Sequence, residues 1–349
     1  MLSKIYGIGL KGIEGFMVSC EVDVGAGLPQ ATLIGYVNSA VKESHDRIKT
    51  AIKNSGFELM PRKTVINLSP ADIRKEGCAY DLPIAIALLE AYGLIKNKLL
   101  NNSAFIGELS LGGDLLPVRG VLALVMAAKE AGIRHVFLPE DNAKEAGVVE
   151  GIDCYGVRSL KETVKIIMND LRGKEAVKYE YNELDDHDEK LDFSDINGQE
   201  LSKRATIIAV SGRHNILYIG PAGTGKSMLA ARIPSIMPGM SMSERVEISK
   251  IHSICGQLPA EEALVRARPY RHPHHTISPQ ALVGGGKHPK PGEISLASGG
   301  VLFLDELAEF KKDALEVLRQ PLEEGVVSIS RVQASYTFPA SFLLCAATN

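Results

Sequence analysis

Gly220–Ser227, GPAGTGKS, satisfies the pattern GxxxxGK[ST] at every fixed position. Glycines so spaced let successive backbone N–H groups curl around an anion, and a helix starting at the lysine adds the partial positive charge of its N-terminus. The residues expected to cradle the phosphates of a nucleotide are Gly220, Pro221, Ala222, Gly223, Thr224, Gly225, Lys226, Ser227 and Met228. In such a loop the Lys226 amine reaches the β- and γ-phosphates and the Ser227 hydroxyl ligates Mg²⁺. Further along, GGVLFLDELAEF places Asp305 and Glu306 directly behind an apolar run, Val301–Leu304. A buried strand there delivers both carboxylates to its C-terminal end, the edge at which ligands bind in open α/β sheets. Asp305 suits holding the Mg²⁺ through water, and Glu306 suits polarising an attacking water. A carboxylate pair after a strand also serves as a helix cap; beside a phosphate loop the expected chemistry is hydrolysis of a nucleoside triphosphate. Asn349 ends the strand-like SFLLCAATN and is placed to orient that water. Lys226, Glu306 and Asn349 are thus the expected catalytic residues, and Ser227 and Asp305 the expected metal ligands.

These residues need a parallel sheet to hold them. From Asp192 onward the chain alternates short apolar strands with helices: NILYIG, then the glycine-rich turn, KSMLAARIPSIM, GGVLFLDE, a helix, and SFLLCAATN. Almost wholly apolar strands separated by helices predict a parallel sheet covered on both faces. Residues 1–172 read differently. FMVSCEVDV, TVINLSP and HVFLPE have strand character, whereas SAVKESHDRIKTAIKNSGF, DLPIAIALLEAYGLI and LALVMAAKEAGI are helical, two of them closing on a glycine. GELSLGGDLLPV alternates about a Gly-Gly and predicts a hairpin. This first region is an α+β domain. Between the two, residues 173–191 are charged and apolar-poor, with Asp185, Asp186, Asp188 and Glu189 clustered; they read as a solvated linker, with an acidic ligand surface as the alternative. The expected organisation is 1–172, a linker 173–191, and an ATPase core over 192–349. The fold class is α/β.

With 349 residues the chain can bury two cores, and 45% hydrophobic against 23% charged residues is ordinary for a globular protein. A net charge of -3 carries no global nucleic-acid signature, so any such contact must come from local basic surface. The N-terminus lacks the apolar core of a signal peptide, and no apolar run reaches the roughly 18 residues of a membrane span. Five cysteines stand far apart without a CxxC pair, which suits reduced cytoplasmic thiols buried as small apolar groups. Cys255 near His252 lacks the further ligands of a zinc site. GIGLKG, Gly7–Gly12, fits GxGxxG, but it lacks a proper preceding strand and a strand rather than a helix follows, so a hairpin turn is expected and not a dinucleotide site.

DINGQELSKRA, GPAGTGKSMLAARIPSIMPGM, RPYRHPHHTIS, ALVGGGKHPKPGEISLASGGVLFLDELAEF and LRQPLEEGVVSISR with FPASFLLCAATN together resemble the magnesium-chelatase-like AAA+ proteins of the ComM/YifB family. The first half, through VKESHDRIKTAIKNSGFELMPRKTVINLSPADIRKEGCAYDLPIA, resembles that family's first domain, so the likeness covers nearly the whole chain. It implies a P-loop AAA+ core, ATP as the nucleotide, Mg²⁺, Asn349 as the sensor 1 residue, and a homo-hexameric ATP-driven DNA motor or branch-migration helicase working in natural transformation or recombination, cytoplasmic and without a membrane. A non-translocating remodeller of a protein complex, as in magnesium chelatase, is the alternative. The arginine finger and the sensor 2 arginine would lie after residue 349, and a core strand at the chain's end is the pattern expected of a protein cut before its lid domain.

The first domain also resembles the proteolytic domain of Lon. RKEGCAYDLPIAIA parallels its serine-bearing segment and GELSLGGDLLPVRGVLALVMAAKEAG its lysine-bearing one. The serine position falls on Ala79 and the lysine position on Leu122, or on Leu124 if the register slips, and neither supports a Ser–Lys dyad. The resemblance therefore implies a protease fold without protease activity.

Two loops remain. VGGGKHPKPGE presents Lys287, His288 and Lys290 between glycines and prolines. In chelatase-like AAA+ proteins such an insertion faces the central pore, so Lys287 and Lys290 are expected to touch DNA phosphates, against a simply solvated loop. GVVSISRVQASYTFP, with Arg331 and Tyr336, is a weaker candidate of the same kind. RPYRHPHHTIS carries His272, His274 and His275. Three imidazoles so close together in a proline-bound loop converge poorly on one ion, and Mg²⁺ prefers oxygen. Arg271, His274 and His275 are expected instead to be intersubunit or DNA-facing donors, with a purely structural loop as the alternative.

Overall fold

The computed structural model describes residues 2–180, 191–259, 261–286, 289–330 and 335–349. Residue contacts group them into two compact units, Met1–Glu180 with Pro259–Ala263, and Tyr181–Leu258 with Leu264–Asn349. Lys287, His288, Arg331 and the acidic cluster at 185–189 lie outside the described residues.

The first unit runs β1 (Leu2–Lys11), β2 (Glu14–Gly25), β3 (Ala31–Ile34), α1 (Ser39–Asn54), β4 (Lys63–Ser69), α2 (Asp81–Ala91), β5 (Ser103–Phe105), β6 (Glu108–Leu109), β7 (Leu115–Leu116), α3 (Val121–Glu130), β8 (His135–Pro139), α4 (Ala143–Ala146), β9 (Asp153–Val157) and α5 (Leu160–Met168). Seven strands form a mixed sheet in the order β3-β4-β2-β1-β5-β8-β9. GIGLKG is the end of β1 and the tight turn into β2: Lys11 pairs with Glu14, and Gly12 turns at φ 65°. The predicted hairpin is β6–β7. α1 starts at Asn38, whose side chain accepts from the Val41 N–H, and buries Val41, Ile48, Ala51 and Ile52, a helical spacing that puts one face on the core. α2 is buried on nearly every side, so its apolar residues show no single stripe. Residues 174–179, charged enough to read as linker, are tied to this unit instead. Lys174 pairs with Glu140 and Glu162, Val177 N–H donates to the Cys154 carbonyl, and Tyr179 N–H donates to that of Gly147.

The second unit runs α6 (Glu200–Gly212), β10 (Ile216–Ile219), α7 (Lys226–Ala231), α8 (Ile233–Ile236), α9 (Met242–Cys255), β11 (Tyr270–Arg271), α10 (Pro279–Val283), β12 (Gly284–Gly285), β13 (Lys290–Pro291), α11 (Glu293–Leu296), β14 (Val301–Leu304), α12 (Lys312–Glu316), α13 (Arg319–Glu324), β15 (Val326–Ser330), β16 (Ser335–Pro339) and β17 (Leu343–Thr348). Its sheet has the order β10-β17-β14-β11, parallel throughout. The helix expected over KSMLAARIPSIM breaks at Arg232, because Pro234 has no N–H to continue the ladder and starts α8 instead. Phe193, Ile196, Val210, Leu229 and Ile233 close one side of the sheet over Val301, Phe303, Leu343 and Cys345. Among the described residues no helix is long and apolar enough to cross a membrane.

Candidate nucleotide site

Sheet order alone assembles the site. β10 leads into the phosphate loop, β17 beside it ends at Asn349, β14 comes next and ends at Asp305, and β11 follows at the edge. Because all four run parallel, every one of these chain ends lies along one edge.

The loop has the backbone its glycines predict. Gly223 and Gly225 stand at φ 78° and 88°, and Gly225 is the residue from which α7 starts. Thr224 Oγ1 donates to the Pro221 carbonyl at 2.9 Å, and the Gln199 amide donates to the Thr224 carbonyl at 2.9 Å. Gln199, from DINGQ, thus steadies the loop from outside the motif. Met228 lies one turn into α7, exposed, its carbonyl taking a hydrogen bond from Arg232.

Three pairs of side chains then line the edge. The Lys226 amine donates to the Gly220 carbonyl, to that of Pro221 at 2.9 Å and to Asn349 Oδ1 at 2.9 Å. An ammonium has three N–H donors, so all are in use and a phosphate must displace at least one acceptor. Ser227 Oγ donates to Asp305 Oδ2 at 2.7 Å across 78 residues of chain. Two oxygen ligands at that separation fit Mg²⁺, a hard cation that keeps much of its water. Asp305 Oδ1 takes the backbone N–H of Glu306 at 3.0 Å, and Glu306 holds a left-handed backbone, φ 53° and ψ 50°. Its carboxylate meets His275 Nδ1 at 3.1 Å.

The histidine stretch resolves into separate jobs. Arg268 is buried and donates to the carbonyls of Pro238, Gly239 and Gly299. His272 packs on Phe303, ring centroids 4.8 Å apart. Arg271, His274 and His275, expected as intersubunit or DNA-facing donors or as a structural loop, each have a partner within the unit. Arg271 forms a bidentate pair with Glu293 at 2.6 and 2.8 Å and reaches Gln257 at 3.1 Å, which uses three of its five N–H donors within the unit. His275 points to Glu306. His274 Nδ1 bonds Thr276 Oγ1 at 2.9 Å. No group of three or more metal-ligating side chains occurs among the described residues. The signal for His275 was its place just past the edge strand β11, which is two residues long and too short to read in advance.

In the first unit, burial pushes the thiols of Cys20 and Cys154 up, the latter to about 12; Cys345 in the second unit is raised the same way. Cys78 and Cys255 are only half-buried, a departure from the expectation for all five. Ala79 and the two candidates for the lysine position, Leu122 and Leu124, carry no group for a Ser–Lys dyad, and both leucines are buried. The segments bearing them are held by ordinary structure: Asp81 takes Arg47 at 2.7 and 3.0 Å and the Leu109 N–H at 3.1 Å, and Leu122 N–H donates to Glu145.

The family described as magnesium chelatase, subunit ChlI, matches residues 192–349, and a second ChlI description matches residues 20–142. The competence protein ComM of Haemophilus influenzae is 40% identical over 350 aligned residues, all of this chain and 68% of the relative. YifB of Escherichia coli is 41% identical over 349 residues, again the whole chain and 68% of the relative. The chain belongs to the ComM/YifB family of magnesium-chelatase-like AAA+ ATPases. There is also a partial likeness to Lon proteases: that of Amoebophilus asiaticus is 30% identical over 159 residues, 44% of this chain and 19% of that one.

Proposed function

We propose that the second unit binds ATP with Mg²⁺ and hydrolyses it, and that the assembled protein, a homo-hexamer, uses the cycle to move on single-stranded or branched DNA. The observation carrying the first part is the alignment of Lys226 with Asn349, Ser227 with Asp305, and Glu306 along one sheet edge beside the phosphate loop. Gly220 to Met228 cradle the phosphates, the Lys226 amine turns from its carbonyls and Asn349 toward the β- and γ-phosphates, and Ser227 and Asp305 are the residues that would hold the metal. Mg²⁺, when bound, neutralises charge on the β- and γ-phosphate oxygens. Glu306 takes a proton from water as the water oxygen bonds to the γ-phosphorus. The bond from that phosphorus to the β,γ-bridging oxygen breaks, leaving ADP and inorganic phosphate. Asn349, released from Lys226, orients the water.

DNA as the substrate rests on the likeness to a competence protein over all of this chain and 68% of that relative, and on the basic stretch that carries Lys287 and Lys290, of which Lys290 is exposed on the short hairpin β12–β13. A protein-remodelling role is favoured by the chelatase descriptions over 192–349 and 20–142, whereas the partial likeness to Lon proteases and the likeness to a competence protein weigh toward the DNA reading.

Two substitutions in the full chain test the chemistry. Lys226→Ala abolishes ATP binding. Glu306→Gln keeps ATP binding and lowers kcat about 10²–10⁴-fold, the contribution expected of a general base. Turnover of Glu306→Gln at the wild-type rate contradicts the assignment.

A further inference from the structure

The geometry points to a second binding site in the second unit, a cavity at the sheet edge opposite the nucleotide site, for a small zwitterion of dipeptide size. The ligand's carboxylate faces Arg213 and Arg268, and its ammonium faces Glu247. The cavity has a volume of about 480 Å³, within the range of small-molecule sites. Its walls are the residues that enter β14 and β17, the foot of the β15–β16 hairpin, and the face of α9 that carries Glu244, Glu247 and Ile248. β14 and β17 run from this cavity to Asp305 and Asn349. The six residues of β17, at roughly 3.3 Å each, put about 20 Å between the two sites.

Four ionisable side chains line the cavity, and the protein itself uses them unequally. Glu244 is satisfied from within: Oε2 takes the Ser241 N–H at 2.9 Å as part of the cap of α9, and Oε1 meets Arg268 at 3.4 Å and Arg213 at 3.8 Å. Arg268 donates to the carbonyls of Pro238, Gly239 and Gly299 and to Glu244, four bonds from five N–H donors, so one N–H of Nη1 is left over. Arg213 has no carboxylate nearer than Glu244, and with its side chain 76% exposed its planar fork is available to a carboxylate. Glu247, one turn along α9 from Glu244, is exposed and pairs with no cation among the described residues. Between the arginines and Glu247 the lining is apolar: Met237, Ile248, Phe342 and Leu343.

Two arginines and two glutamates leave the cavity electrically neutral, so an ion of one sign meets a like charge as well as an unlike one. A multiply charged phosphate is disfavoured for that reason. A molecule with both charges, separated by an apolar body, sets each against its opposite and lays its side chains on Met237 and Phe342. A dipeptide of apolar residues has that form.

Isothermal titration calorimetry on the full chain, with phenylalanylleucine as the probe, tests the site. The wild type is expected to bind the peptide at one site, with the same affinity whether or not ATP is present. Acetylating the peptide's amine or amidating its carboxyl weakens binding about tenfold in each case, the loss of one charge-assisted hydrogen bond. Both protein partners are exposed, so replacing them leaves the Tm unchanged. Glu247→Gln makes the protein indifferent to acetylation while it still rejects the amide, and Arg213→Gln removes most of the discrimination against the amide while keeping that against the acetyl group. No saturable binding up to millimolar peptide, equal binding of all three peptides, or displacement by ATP overturns the inference. So does discrimination that survives unchanged in both variants.

Discussion

Arg268, just before the three histidines, is buried, and its guanidinium donates to the backbone carbonyls of Pro238, Gly239 and Gly299, with Glu244 at 3.4 Å. Removing it strands buried acceptors, so Arg268→Ala is expected to lower unfolding free energy by about 3 kcal/mol, read by urea denaturation. A loss below about 1 kcal/mol would show that water replaces the guanidinium freely. The motif residues were legible because their chemistry is local: GPAGTGKS needs only its own spacing, and an acidic pair behind four apolar residues needs only a strand. Arg271 and His275 were not, because their partners are chosen by tertiary structure. Nothing near Arg271 in the chain announces Glu293, 22 residues on.

At the scale of elements the apolar runs predicted β2, β4, β8 and α1 to α3 and the strand-turn-helix around the phosphate loop, but not α9 or β1, the strand expected to be missing before GIGLKG. Strands of two residues, β11 to β13, carry no pattern to read, and charge misassigned 174–179, whose backbone is bonded to the first unit. Close approach fixes one junction: a side chain on Gly300 would collide with the Pro269 carbonyl, so β14 and the chain entering β11 meet only over glycine. α9 packs through His252, whose Nε2 lies 3.1 Å from the Leu296 carbonyl. Burial, helped by Arg271, holds its pKa below the ordinary histidine value, against the pull of that carbonyl and of Glu293. A folded-state pKa below the unfolded one means that the unfolded chain binds the extra proton. The stability this contributes is present above about pH 6.5 and is lost as pH falls toward and through the lowered folded value. Urea midpoints at pH 7.5 and 5.5 should differ less for His252→Gln than for the wild type; an equal difference removes His252 from the account. His45 and His135 shift in the same direction in the first unit and supply the background.

For the whole molecule, a net charge of -3 means that DNA must be met by local basic surface rather than by overall attraction. We propose that the stretch bearing Lys287 and Lys290 supplies that surface. Replacing both by alanine should weaken DNA binding and flatten its salt dependence by about 1–2 in log-log slope, leaving DNA-free hydrolysis unchanged. Unaltered binding and salt slope would move the contact elsewhere. We propose that DNA drives hydrolysis at the sheet edge that holds Lys226, Ser227, Asp305 and Glu306. The most direct measurement is phosphate release by the full-length protein with and without single-stranded and forked DNA. The account predicts a DNA-dependent rise in kcat that vanishes in Glu306→Gln, whereas active hydrolysis indifferent to both DNAs contradicts it.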